Sequence, residues 1–237
     1  MNQATIVQPL QLAIDEFQRI RDRDEHLVAM ARGKRVLHVG CADWPITAER
    51  SDDLLHARLT EASPDVVGID ISERGLEELR RRGFENVMHG DAQRLDEHFP
   101  DQHFDLIVAG ETLEHLPNPG LFLESARRVL RDDGTLLITV PNAFYLLRLI
   151  VLFLRRSEIV HRDHNYYFSI KTLNRLLATA GFRITFAGFT RPVEMKRLTA
   201  FLFDRAHTLF PYCGQSVVVH ASKHTDGEAP ALREVLR

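Results

Sequence analysis

Short apolar runs rich in β-branched residues alternate along this chain with longer segments whose apolar positions recur every three or four residues. Arg35–Val39 (RVLHV), Val66–Ile69 (VVGI), Val87–His89, Phe104–Ala109 (FDLIVA), Thr135–Val140 and Phe182–Ala187 read as strands, and Ser216–Ala221 (SVVVHA) as a seventh. Apolar residues at Leu10, Ile14, Phe17, Ile20 and Leu27 predict one or two helices over Leu10–Ala31, stopped at Gly33. Further helices are predicted over Leu54–Ala62, from the N-cap Ser72 through Arg82, and over Gly120–Arg131, Lys171–Ala180 and Val193–Phe210. Strands alternating with helices predict an α/β fold, a Rossmann-like doubly wound sheet of seven strands. The tight turn PYCG at Pro211–Gly214 predicts that the last strand is antiparallel. Residues 1–34 are expected to form an N-terminal helical segment with a loose start, 35–223 the α/β domain, and 224–237 a flexible tail.

Ala143–Leu154 (AFYLLRLIVLFL) departs from this alternation. It is apolar almost throughout, but it is short and carries Arg148, whereas a spanning helix needs ~20 apolar residues. Two readings follow. One is a buried or lid helix; the other is an interfacial helix, residues 143–156, that meets a lipid-like molecule with Arg155 and Arg156 at its end.

Composition narrows the class. With 237 residues, 44% hydrophobic and 27% charged, the chain suits one α/β domain with a full core. A net charge of −3 leaves no global basic field for gripping nucleic acid, and the partner expected is a small-molecule substrate. Cys41 and Cys213 form no disulfide or zinc pattern, and the first residues lack a signal peptide's basic start and apolar core. A cytoplasmic location is the expectation.

The chemistry collects at the carboxyl ends of the strands, where open α/β sheets bind ligands. The first strand ends in Gly40-Cys41-Ala42, small residues that let backbone approach a ligand. The second ends in Asp70 and Ile71, an acidic group placed to accept hydrogen bonds from a ribose diol. The third ends in Gly90-Asp91-Ala92, placed for a base's exocyclic amine, and the fourth in Gly110 and Glu111. Together they describe a pocket for an adenosine-bearing cofactor. The dinucleotide fingerprint G-x-G-x-x-G and the P-loop are both absent.

At these residues the chain resembles the class I S-adenosylmethionine-dependent methyltransferases. VLHVGCA is similar to their glycine loop, VVGIDIS to their acidic second strand, GDAQRL to their third, FDLIVAGETLEHLPNP to their fourth, and LRDDGTLLITVPN to their fifth. The resemblance implies S-adenosyl-L-methionine as cofactor. It also implies the seven-stranded sheet with one reversed strand. His38 stands where the family usually has an acidic residue, and the glycine loop is reduced, with Trp44 in the loop that follows.

Just past the fourth strand, the spacing E-x-x-E-H puts Glu111 and Glu114 on neighbouring turns, if helical, with His115 beside them. Two carboxylates and an imidazole can hold a divalent ion such as magnesium. The pattern resembles that of the ubiquinone-pathway catechol O-methyltransferases and the small-RNA 3′-end 2′-O-methyltransferases. That resemblance implies metal ligands at Glu111, Glu114 and His115, with a downstream histidine, His161 or His164, joining them. Without a metal, His115 or His164 would take the substrate's proton, with Glu114 beside them in the catalytic group. Tyr166, Tyr167 and Phe168 are candidates to line the substrate pocket. The expected activity is methyl transfer to a small hydroxyl-bearing molecule: a sugar, a polyketide-like metabolite or a lipid-linked phenol. The alternatives are an RNA 2′-O-methyltransferase and a non-catalytic, cofactor-binding regulatory subunit.

Overall fold

A computed structural model describes residues 17–42, 54–158, 160–191 and 211–224. The expected loop Asp43–Asp53 with Trp44, the helix Val193–Phe210, the loose start and the tail beyond 224 lie outside the described residues. Eight strands form one sheet: β1 (Gln18–Ile20), β2 (Val36–Val39), β3 (Val66–Asp70), β4 (Val87–His89), β5 (Phe104–Gly110), β6 (Leu130–Pro141), β7 (Phe182–Thr190) and β8 (Ser216–Lys223). Their spatial order is β1-β7-β8-β6-β5-β2-β3-β4. β8 runs antiparallel to both β6 and β7, as the PYCG turn predicts, and the other pairs are parallel.

β5 is central because both its faces are buried. Leu106 and Val108 pack on one side with β2, β3, α1 (Arg23–Ala31) and α2 (Leu55–Ala62). Ile107 and Ala109 pack on the other with α4 (Pro119–Val129) and α6 (Ile170–Thr179). Each strand residue therefore feeds alternate layers, the period-two geometry of a strand. α3 (Glu73–Arg81) covers the β4 edge through Leu76 and Leu79, with Ser72 accepting the Gly75 N–H as the N-cap expectation requires. Asn142 ties β6 to the PYCG turn by donating to Tyr212 and Gly214 carbonyls.

Two expectations change. Within the described part of the span Leu10–Ala31, where one or two helices are predicted, a helix runs from Arg23, capped by Asp22; Gln18–Ile20 is instead a strand on the sheet edge, raising the count among the described residues to eight. Its partner is Gly188, where a Cβ would come within 2.7 Å of the Gln18 carbonyl oxygen, so glycine makes room for the pairing. The apolar stretch forms α5 (Leu146–Arg155), but no residue of α5 is buried, which removes the buried-helix reading. Phe153 and Leu154 each leave 79% of their surface exposed. Among the described residues no helix is long and apolar enough to cross a membrane.

Two histidine pairs sit inside the fold. His38 Nδ1 is 3.2 Å from His56 Nδ1, and His26 Nε2 is 2.9 Å from His220 Nε2. Burial lowers His56 to about 4, and burial followed by the His26 charge lowers His220 to about 4, from the ordinary 6.5. The unfolded chain therefore binds protons that the fold refuses. Their contribution is fully present above pH 6.5 and is lost as pH falls towards 4. Between pH 7 and pH 5 each of these two histidines should remove about 2 kcal/mol of stability, against an opposite drift from the Glu114 carboxyl, so the share of each is read by urea unfolding as parent against variant. His220→Phe, which keeps the stack on Phe186, should remove that residue's share. An unchanged pH 5 to pH 7 difference in the variant would contradict the assignment.

Candidate active site

The loops at the carboxyl ends of β2, β3 and β4 are stitched to one another. Gly40 N–H and Cys41 N–H both donate to the Ile69 carbonyl, at 2.9 and 3.3 Å. Gly40 holds φ +72°, and a Cβ there would lie 2.8 Å from Thr112 Oγ1, so the turn needs glycine on both counts. Asp70 bridges two loops: Oδ2 accepts from Ala42 N–H at 2.9 Å and Oδ1 from Ser72 N–H at 2.8 Å. Each oxygen keeps a further lone pair for a ligand. Gly90 N–H donates to the Asp70 carbonyl at 3.0 Å, which brings the β4 loop alongside. There Asp91 accepts from Gln93 N–H at 2.9 Å and caps the short helical turn that begins at Ala92. Ile71 beside them is 69% exposed, an apolar surface on a polar rim. Gly40, Cys41, Ala42, Asp70, Ile71, Asp91 and Ala92 thus share one edge.

β5 delivers the second group. Glu111, directly after Gly110, takes φ +50°, a conformation uncommon for a side-chain-bearing residue. Its N–H donates to Thr139 O at 2.9 Å, and this contact with β6 holds the conformation in place. Rather than a full helix, Leu113–His115 makes a single tight helical turn, and Glu114 points inward and is 1% exposed. Arg23 Nη1 of α1 lies 3.7 Å from Glu111 Oε1. Burial raises the Glu111 carboxyl against the opposing pull of Arg23. Burial, and then the charge of Glu111, raises Glu114 to about 8.

The segment after α5 closes over this turn. Asn165 N–H donates to Glu114 O at 2.7 Å, Asn165 Nδ2 donates to His115 O at 2.8 Å, and the Tyr166 hydroxyl donates to Pro117 O at 2.9 Å. This docking gathers His115, His161 and His164, whose donor atoms all lie within 4.8 Å of one another. His115 Nδ1 is 3.1 Å from the Asp163 carbonyl oxygen. A carbonyl only accepts, so Nδ1 carries the proton and Nε2 offers a lone pair while the ring is neutral. Burial and the neighbouring His115 and His161 charges lower His164, which keeps it neutral near pH 7.

The structure brings the three histidines together at ligand spacing; Glu111 and Glu114 are not members of that group among the described residues. A different observation bears on a cation here. Both Glu114 carboxylate oxygens and His164 Nδ1 are buried with no hydrogen-bond partner, and Glu111 Oε1 has only the charge of Arg23, 3.7 Å away. Buried acceptors in that condition are costly unless a proton or a cation satisfies them. The donor set, three imidazole nitrogens at ligand spacing with buried carboxyls on the adjoining turn, fits a divalent ion. Phe168 does not line the site; it is buried in the core. The roles of Arg23, Thr112, Thr139 and Asn165 leave no mark in the sequence, because each acts across the fold rather than along a motif.

A doubly wound sheet with one reversed strand, and acidic and glycine loops converging on one edge, define a nucleotide-cofactor-binding α/β protein. The methyltransferase-domain family matches residues 12–186, and the chain belongs to the class I S-adenosylmethionine-dependent methyltransferases. It is 30% identical over 150 residues to the ubiquinone biosynthesis O-methyltransferase of Aromatoleum aromaticum, covering 54% of this chain and 60% of that one. It is 29% identical over 125 residues to the 27-O-demethylrifamycin SV methyltransferase of Amycolatopsis mediterranei, covering 50% of this chain and 42% of that one. The chain spans about half the length of the curated relatives it matches. A crystal structure of a SAM-dependent methyltransferase from Archaeoglobus fulgidus shares the fold with a TM-score of 0.62 and 19% identity, covering 85% of this chain and 91% of that one.

Proposed function

We propose that this protein transfers the methyl group of S-adenosylmethionine to a hydroxyl oxygen of a small molecule, with a divalent cation such as magnesium held beside the substrate. The observation that carries the reading is the cluster of His115, His161 and His164 at ligand spacing, with the buried, unpartnered carboxyl of Glu114 on the same turn as His115. In this reading Asp70 accepts from the ribose hydroxyls, Asp91 and Ala92 meet the adenine, Ile71 packs on its face, and the Gly40–Ala42 backbone with Gly110 and Glu111 borders the methionine end. His115, His161 and His164 would hold the cation, and Glu111 and Glu114, which lie outside that group, would join by turning their carboxylates towards it. When bound, the cation lowers the pKa of a substrate hydroxyl, and S-adenosylmethionine presents an electrophilic methyl on its sulfonium.

The chain's own part is to orient and to accept a proton. His115 is fixed by Asp163 and Asn165 with one lone pair, on Nε2, which serves the cation when one is bound and otherwise can accept the hydroxyl proton as the oxygen attacks. Glu114, raised to about 8, exchanges a proton near neutral pH in the cation-free state. Holding the oxygen in line with the methyl supplies the rest of the rate through proximity. The relatives named for quinone and rifamycin O-methylation support oxygen as the acceptor. The exposed apolar side chains of α5 support a partly apolar substrate, and a peripheral lipid contact by residues 143–156. The test is label transfer from methyl-tritiated S-adenosylmethionine to a panel of catechols, phenols and glycosides, with and without a chelator.

A further inference from the structure

Arg148 lies on α5, with its guanidinium carbon 4.7 Å from the centre of the Tyr167 ring. The Tyr167 ring is 6.4 Å from that of His164, which is 4.7 Å from that of His115. The charge of Arg148 also acts on His164, which puts the guanidinium near the histidine cluster. Its Nη1 is buried and has no hydrogen-bond partner, and among the described residues no carboxylate pairs with it. Arg155, one helix end away, lies exposed in solvent, as a long cationic side chain ordinarily does. Arg148 instead folds back over an aromatic face. Stacking on Tyr167 offsets part of the cost of withdrawing a cation from water, but it leaves N–H donors unmet. A planar fork of donors suits two oxygens of one anion.

We propose that Arg148, backed by Tyr167, is an anion-binding subsite, and that the substrate carries a carboxylate or phosphate group near the hydroxyl that is methylated. The proposal rests on reading the adjoining His115–His161–His164 cluster as the reacting end. It also makes sense of α5, which sets one inward cation among exposed apolar side chains, as an amphiphile with an anionic group would require.

The test is calorimetry in the presence of S-adenosylhomocysteine with two probe pairs: protocatechuate against its methyl ester, and octyl phosphate against octanol. In the parent at least one charged probe should bind about tenfold or more tighter than its neutral partner. The pair that shows the margin tells carboxylate from phosphate. Arg148→Ala should erase the margin, and Arg148→Lys should keep part of it. S-adenosylhomocysteine affinity should be unchanged in both variants, which also reports that they are folded; Arg148→Gln serves if alanine disturbs α5. Equal binding of charged and neutral probes, no binding of any probe, or a margin that survives Arg148→Ala overturns the subsite. An Arg148-dependent margin in a protein that transfers no methyl group leaves the subsite standing and sinks the proposed reaction instead.

Discussion

Glu114→Gln should make the cation-free protein about 3 kcal/mol more stable at pH 7 and methyl transfer about 10²–10⁴-fold slower. Both effects come from one cause. In the fold the Glu114 carboxyl is raised to about 8, from an ordinary 4.5, by burial and by the charge of Glu111. The unfolded chain releases this proton above pH 4.5 while the folded chain keeps it to about 8. Stability is therefore lost as pH rises across that window, opposite in sign to the histidine pairs below pH 6.5. Glutamine never ionises, so the penalty goes, and with it the negative ligand and proton acceptor. Urea unfolding in a chelator, paired with kcat/KM, checks both halves. A variant less stable than the parent at pH 7, or one that turns over normally, would show that the carboxyl is not held for chemistry.

Asp70→Ala should weaken S-adenosylmethionine binding by about 1–3 kcal/mol, or roughly 5- to 150-fold in Kd. The side chain has two tasks on one edge. It bridges the Ala42 and Ser72 backbones, and in the proposed reading the lone pairs that remain accept from the ribose. Asp70→Asn keeps one acceptor oxygen and should fall between alanine and the parent. Calorimetry with S-adenosylmethionine reads this without any knowledge of the acceptor. If alanine leaves the affinity unaltered, the nucleoside lies somewhere other than the β3 and β4 ends.

The sheet was readable because buried parallel strands are apolar on both faces, so β2, β3, β5 and β6 stand out as continuous runs. β1 was not, because three residues with only Ile20 buried carry no periodic signal, and their partner at Gly188–Thr190 is far along the chain. α5 was legible as a helix but not as an exposed one: an apolar helix has the same pattern whether protein, lipid or substrate covers it. At the site, Asp70, Asp91 and the Glu111–Glu114–His115 run could be located because strand ends fix them. The folding of Asn165 and Tyr166 onto Glu114 and Pro117, which places His161 and His164, depends on hydrogen bonds between segments some fifty residues apart. The inward turn of Arg148 depends on Tyr167 in the same way.

Methyl-tritiated S-adenosylmethionine, a panel of hydroxyl-bearing acceptors and a chelator give the most direct measurement of the central claim. The account predicts that label appears on an oxygen of an acceptor, that EDTA stops the transfer, and that magnesium or manganese restores it. Turnover indifferent to EDTA would remove the cation from the reaction, and cofactor binding with no label transferred to any acceptor would contradict the account as a whole.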